Sequence, residues 1–172
     1  MFKKDKQIVV CLAIAAIVGV IYLINLFIPG SETSQIKFKD GGVVSVKLKN
    51  TSKFTMSIDD GKIILSQPEL SIPIVTGSFY EKEDYDAILQ QHLDVREVSG
   101  KAKELLGYSV GGITDEVDMG EYTYREFWGP SGTGRGYLVW VKDANKGIKL
   151  DQNGMWDSKG LKWITVFDFK SE

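Results

Sequence analysis

The most prominent feature of the hydropathy pattern is an apolar run at residues 8–28. Only Gly19 and Asn25 in this run fall outside the apolar set, and no residue in it carries a charge. A helix of this length spans roughly 31 Å, which matches the hydrocarbon core of a bilayer. Lipid requires the backbone to satisfy its own hydrogen bonds, and a helix does so. The run therefore predicts a single transmembrane helix, with the lipid bilayer as its partner.

The flanks of this helix predict its orientation and the division of the chain. Three lysines stand within the first six residues, and the positive-inside bias places such residues in the cytoplasm. We therefore expect a cytoplasmic tail at residues 1–7, a membrane helix at 8–28, a linker at 29–35 and an extracytoplasmic domain at 36–172. A cleaved signal peptide is the alternative, but its apolar core would be shorter, about 7–15 residues, and would end in a small-residue cleavage site.

Two stretches after the linker alternate apolar and polar residues, as strands with one buried face do. Residues 42–50 alternate in this way, and so do both halves of residues 54–65. Asp60 and Gly61 lie between those halves, and an Asp-Gly pair supplies the positive φ of a tight hairpin turn. We therefore predict a strand at 42–50, a β-hairpin at 54–65 and a further strand at 70–80.

The periodicity changes to that of an amphipathic helix at residues 83–96. Its apolar face consists of Tyr85, Ile88, Leu89, Leu93 and Val95. Glu81, Glu83 and Asp84 crowd its start, where the helix dipole favours negative charge, so we interpret them as capping residues without a catalytic role. A short second helix is predicted at residues 101–106.

Strand-like runs return at residues 108–113, 121–128 and 136–142. A last run, at 163–169, is apolar on both faces, which is typical of a strand inside a sheet that is covered on each side. The patterns predict an α+β fold: an N-terminal transmembrane helix, then a small domain in which one main helix packs on a mainly antiparallel β-sheet. The order of elements resembles that of PsbP-like domains, which close with a helix instead of a strand. That resemblance implies a fold and no function.

Composition and charge exclude several classes of protein. The chain has 172 residues, 43% of them hydrophobic, and a formal net charge of −2. This balance provides no basic face, so we expect no nucleic-acid partner. Cys11 is the only cysteine, which excludes an intrachain disulfide. Eighteen lysines against three arginines favour a bacterial source with an AT-rich genome.

His92 is the only histidine and lies near the middle of the predicted apolar helix face. One hypothesis makes it the base of a small enzyme. A metal site needs several His, Cys or carboxylate ligands at set spacings, and no HxH, HxxxH or CxxC occurs. We therefore favour a histidine that packs in the core, and we expect no catalytic residue, no metal and no cofactor.

A glycine-rich stretch at residues 129–136 is the most distinctive in the chain. Phosphate-binding loops of similar composition open a helix, whereas strand-like residues follow here, so we interpret the stretch as a hairpin loop that contacts a partner. The candidate binding residues are Tyr122, Tyr124, Trp128 and Arg135. The three aromatic residues share one strand face. Exposed, they would form a platform for sugar rings or for the apolar patch of a partner; buried, they would fill the core.

These features predict a non-catalytic binding or accessory domain on the outer face of a bacterial cell membrane, where it recognises a protein partner or an envelope glycan. Two alternatives stay open. One is a subunit of a membrane complex that assembles partly through its transmembrane helix, in which Ala15 and Gly19 form a small-xxx-small pair. The other is a small extracytoplasmic enzyme that uses His92.

Overall fold

A computed structural model describes residues 31–38, 40–49, 54–67, 73–108, 110–130, 134–153 and 163–172. All of these residues belong to one compact unit, Ser31–Glu172. The predicted transmembrane helix at residues 8–28 lies outside the described residues. Within them, no helix is long and apolar enough to cross a membrane.

The described residues form eleven strands, one long helix and a short 3₁₀ helix. The strands are β1 (Ser31–Lys37), β2 (Val43–Lys49), β3 (Thr55–Asp59), β4 (Lys62–Ser66), β5 (Val75–Tyr80), β6 (Gly112–Ile113), β7 (Val117–Asp118), β8 (Tyr122–Trp128), β9 (Gly136–Val141), β10 (Lys146–Gln152) and β11 (Phe167–Ser171). Helix α1 spans Lys82–Leu106, and the 3₁₀ helix spans Trp163–Val166. Every strand pairing is antiparallel, so the predicted α+β domain with one main helix is confirmed.

Two sheets and the helix form three layers. The smaller sheet has the order β1-β2-β11, and the larger has the order β3-β4-β5-β10-β9-β8-β6, with β7 also paired to β8. Val46 and Phe169 of the smaller sheet share a fully buried core with Val139 of the larger one. Leu138 points to the opposite face, because successive strand residues alternate, and it packs there with Tyr85 of α1.

The predicted β-hairpin at residues 54–65 is confirmed as β3 and β4. Asp59 pairs with Lys62, and the two residues between them both have positive φ, 45° at Asp60 and 67° at Gly61. Two positive φ values at the turn match the right-handed twist of the flanking strands. The Asp-Gly pair therefore sets the register that buries Met56, Ile63 and Leu65.

Residues 31–35, which we predicted to be part of the linker, are instead the first five residues of β1. Ser31 lies opposite Lys49, and Gln35 lies opposite Ser45. Main-chain hydrogen bonds to β2 hold this edge strand, and only Ile36 within it is buried. The segment therefore lacks the apolar alternation by which strands are recognised.

The prediction of two separate helices is wrong, because α1 continues unbroken through residues 97–100. Ser99 is buried there, and its hydroxyl accepts a hydrogen bond from the Val110 N–H at 3.1 Å. The helix ends at Gly107, where φ is 77° and the N–H donates to the Lys103 carbonyl. A left-handed glycine of this kind is a common helix terminator.

A buried lysine connects the helix start to two other parts of the fold. The Nζ atom of Lys146 lies 2.5 Å from the Asp40 carboxylate and 2.5 Å from that of Glu81, above the ring of Phe38. Burial alone would lower the pKa of Lys146, but these two hydrogen bonds raise it above its usual value. Glu81 is the N-cap residue, yet its side chain makes no capping hydrogen bond. Its carboxylate serves the lysine instead.

The last apolar run was predicted to be one strand inside a covered sheet, and this is wrong. The run begins as the 3₁₀ helix, and β11 starts only at Phe167, at the edge of the smaller sheet beside β2. The tighter turn directs both Ile164 and Val166 into the core, while Phe167 and Phe169 point inward from the strand. Two conformations in succession therefore produce the pattern that suggested a strand buried on both faces.

Candidate binding groove

An open groove of about 590 Å³ lies between the C-terminal half of α1 and the edge of the larger sheet. Its helix wall consists of four residues on one helix face: Arg96, Ser99, Gly100 and Lys103. Its sheet wall consists of five consecutive residues, 111–115, which are β6 and its neighbours. Trp128 of the adjacent strand β8, which lies opposite Gly112, completes the lining.

The sheet wall depends on close approach between Gly112 and Trp128. These residues lie opposite each other in the β6–β8 pairing, and a Cβ atom on Gly112 would lie 2.4 Å from the Cζ2 atom of Trp128. Glycine is therefore required for the indole to lie directly over this strand. Ile113, the next residue, points to the other face and is buried beneath α1.

The helix wall contains a glycine that no described neighbour requires. Gly100 lies in the interior of a 25-residue helix and is exposed, and a Cβ atom there would meet nothing within 4 Å. A glycine inside a helix costs about 1 kcal/mol relative to alanine. Its absence of a side chain keeps this part of the groove wide.

The groove has two cationic side chains in different situations. Nη1 of Arg96 lies 2.8 Å from the carboxylate of Asp115, and this hydrogen bond holds the pKa of Asp115 below its usual range. Lys103 takes part in none of the ion pairs formed among the described residues. The ammonium of Lys103 is therefore the cation that the groove can offer to an anionic ligand.

Two of the four residues predicted to bind a partner face the core between the sheets. Tyr122 is only 2% exposed and packs edge-on against Phe169 at a ring distance of 5.2 Å. Burial raises the pKa of Tyr122 to about 12. Tyr124 is half-buried and packs edge-on against Tyr137 at 5.7 Å. Both tyrosines therefore fill the core and do not form an exposed platform.

The other two predicted residues lie apart from these tyrosines. Trp128 is half-buried and lines the groove. Arg135 is exposed just before β9, and its carbonyl accepts a hydrogen bond from the Gln152 N–H at 2.9 Å. Residues 131–133 of the glycine-rich loop lie outside the described residues. The four residues thus do not form one surface, and Trp128 alone among them belongs to the groove.

His92 lies on the face of α1 that packs against the larger sheet. Its ring packs on that of Phe127 at 4.4 Å with an angle of 30° between the planes. Burial lowers the pKa of His92, the positive charge of Lys149 lowers it further, and Asp151 opposes these effects. In the described segments, no group of three or more His, Cys, Asp or Glu side chains is placed to hold a metal ion.

The sequence reasoning missed the helix wall and most of the sheet wall. The sequence predicts two helices, at 83–96 and 101–106, with residues 97–100 between them, and an ordinary strand at 108–113. The signal that was present is the glycine itself, because an exposed helix-interior glycine lowers stability without a local structural reason.

The groove combines a sheet wall at residues 111–115, a helix wall without a side chain at Gly100, and the ammonium of Lys103. Such a set is suited to holding a ligand by shape and a few polar contacts. Comparison of the chain with protein-family models, with curated proteins and with solved structures finds no match.

Proposed function

We propose that this protein is a single-pass membrane protein whose extracytoplasmic domain is a non-catalytic binding module, and that the groove between α1 and β6 is its ligand site. The observation that supports this proposal best is Gly100. The groove is wide at this position because a residue that weakens the helix stands there. Local departures from the rules of stability are expected mainly at functional sites.

The size and lining of the groove support a binding role. Its volume of about 590 Å³ falls within the range of roughly 300–1,000 Å³ that is common for ligand sites. Trp128 is one of its lining residues, and Lys103 offers a charge that no described residue neutralises. Tryptophan is among the residues most enriched where binding energy is concentrated.

The proposed anchor restricts where the ligand is met. Only residues 29 and 30 separate the predicted membrane helix from β1, which begins at Ser31. A domain held by so short a connection would meet ligands at the membrane surface. We therefore propose an envelope protein or an envelope glycan as the partner, in a bacterial cell envelope.

Site-specific photo-crosslinking in native membranes tests the proposed site. A benzophenone amino acid replaces Lys103 in the groove or, as the matched control, Ala87, which is exposed on the same helix outside the groove. We expect a discrete adduct from position 103 and none from position 87. The proposal is refuted if position 103 yields no adduct, or if both positions yield the same one.

Two cell-level measurements test the anchor and its orientation. The full-length chain should remain in the membrane pellet after an alkaline carbonate wash, because the wash disrupts ionic contacts whereas the hydrophobic effect holds a spanning helix in the bilayer. Protease added outside intact cells should remove the domain. Recovery of the chain in the carbonate supernatant would exclude the anchor, and digestion only after lysis would reverse the topology.

A further inference from the structure

We infer that the outer face of the smaller sheet rests on the membrane, where its lysines contact anionic lipid headgroups. The outer face is the side of β1, β2 and β11 that is turned away from the core shared by the two sheets. This inference rests on the membrane anchor of the proposed function and is independent of the groove. It adds a surface of the folded domain to the contacts between the chain and the bilayer.

Strand alternation divides the smaller sheet into an apolar face and a polar face. Val44 and Val46 of β2 are fully buried against the larger sheet. The residues between them point the other way, and residues directly opposite each other in a sheet share one face. Lys47 lies on this second face, between Thr33 of β1 and Asp168 of β11. The polar face is therefore the outer face.

The outer face carries a net positive charge. Its ionisable side chains are four lysines and two acidic residues: Lys37, Lys47, Lys49, Lys170, Asp168 and Glu172. They give this face a net charge of +2, in a chain whose formal net charge is −2. All four lysines are exposed. Only Lys49 takes part in an ion pair formed among the described residues, at 3.7 Å from Asp168.

Helix α1, on the other side of the larger sheet, has the opposite charge. It contains four basic and six acidic residues, which give a net charge of −2, and the acidic residues Asp86 and Asp94 are exposed. The two outer layers of the domain therefore differ in the sign of their charge. An anionic surface attracts the smaller sheet and repels the helix, so electrostatics alone favours one orientation of the domain.

The chain enters the smaller sheet beside one of these lysines. Ser31, the first residue of β1, lies opposite Lys49, and only residues 29 and 30 separate it from the predicted membrane helix. The main chain from residue 28 to Ser31 spans at most about 11 Å. The anchor therefore holds Lys49 close to the headgroup layer, where the charge of the lipids acts most strongly.

The side chains of the outer face suit lipid headgroups better than a protein partner. The centre of a protein interface is rich in aromatic and large apolar residues. None of the large apolar side chains that are exposed in the described part of the chain lies on this face. A lysine ammonium is a compact charge on a flexible stem, so it contacts a phosphate without a preformed pocket. Each such lysine favours an anionic membrane surface by roughly fivefold.

Fluorescence quenching in vesicles tests the inference on the full-length chain. Cys11→Ala removes the only native thiol, and a bimane label is attached through Thr33→Cys on the outer face or, as the matched control, through Gln91→Cys on the exposed side of α1. The vesicles contain phosphatidylcholine, with or without phosphatidylglycerol, and a lipid with a nitroxide quencher on its headgroup. We expect phosphatidylglycerol to increase quenching at position 33 roughly threefold, and high salt to remove the increase. Position 91 should not respond.

Paired substitutions show whether the lysines cause this response. Lys47→Glu with Lys49→Glu should abolish the effect of phosphatidylglycerol at position 33, whereas Lys47→Arg with Lys49→Arg should preserve it, because the charge is retained. Lys82→Glu with Lys101→Glu, on α1, serves as the matched charge reversal and should change the effect less than twofold. Thermal melts of the three double variants should show that each remains folded.

Several results would overturn the inference. They are an equal degree of quenching at position 33 with and without phosphatidylglycerol, an effect that survives the two glutamates on the outer face, and an equal response at position 91. A response of position 33 to soluble polyphosphate but not to phosphatidylglycerol would assign the face to an anionic polymer and would also overturn it.

A carbonate wash of the same vesicles separates the failure of this inference from the failure of the proposed function. If the chain stays in the vesicles and any of these results is obtained, the anchor is retained and only the lipid contact is rejected. If the chain is recovered in the supernatant, the anchor is refuted and this inference fails with it.

Discussion

The substitution Gly100→Ala should stabilise the fold, although it lies in the wall of the proposed binding site. The added methyl group meets nothing within 4 Å, so the substitution removes backbone entropy from the unfolded chain without creating a clash. The helix propensity scale gives a gain of about 0.5–1 kcal/mol. With a urea m-value of about 2 kcal/mol/M, the unfolding midpoint should rise by about 0.3–0.5 M. Tryptophan fluorescence of the full-length chain in detergent measures this shift.

The same substitution at Gly107, which caps the C-terminus of the same helix, should have the opposite sign. Gly107 has φ 77°, a left-handed conformation in which an L side chain is strained, so alanine there should cost about 1 kcal/mol. Comparison of the two variants separates helix propensity from any general effect of alanine. A fall in stability for Gly100→Ala would mean that another part of the chain packs against this position. That result would refute the open groove and the proposals that depend on it.

Three further predictions concern the packing around the groove and the buried charges. Burial keeps the pKa of folded His92 below 6.5, so the unfolded state binds a proton first as the pH falls. The free energy of unfolding should therefore decrease below pH 6.5. The variant His92→Gln should lack this slope in urea titrations. Asp40→Asn combined with Glu81→Gln should lower the urea midpoint more than Lys146→Met does. The pair of substitutions leaves a buried ammonium without carboxylates, whereas methionine suits a site beside Phe38. The reverse order would show that the ion pairs do not stabilise the fold. Gly147→Ala should lower the free energy of unfolding by about 1–3 kcal/mol, because the new Cβ would lie 2.1 Å from the Tyr85 ring. A neutral result by thermal melting would mean that the helix shifts freely on the sheet.

The sequence predicted those elements whose side chains follow one period from end to end. β2, the β3–β4 hairpin and the first half of α1 each have a single buried face, and the turn at Asp60-Gly61 requires the φ values that these residues favour. The acidic first turn of the helix is also present at Glu83 and Asp84. In each of these cases local preference and burial agree.

The missed elements are those in which main-chain pairing determines the structure without an apolar pattern. β1 buries only Ile36, and β10 buries Ile148 and Leu150 together with Lys146 and Gly147. Lysine and glycine within a buried strand argue against such an assignment from the sequence alone. Gly147 is needed because Tyr85 lies against it, and Lys146 is accommodated because two carboxylates surround its ammonium. Both reasons depend on residues distant in the chain.

The error in the helix and the missed site have one physical cause. Helix α1 has 25 residues and is therefore about 37 Å long, whereas the strands beneath it are spaced about 4.8 Å apart. Its last turns consequently extend beyond the sheet, which leaves Val98 57% exposed and Leu105 82% exposed. This extension lacks the apolar periodicity of a helix that covers a sheet, so the pattern predicts that the helix ends near Arg96. A helix that ended there would cover the same core but would leave β6 as a bare edge. The extension through Gly100 and Lys103 is what converts that edge into a groove with two walls.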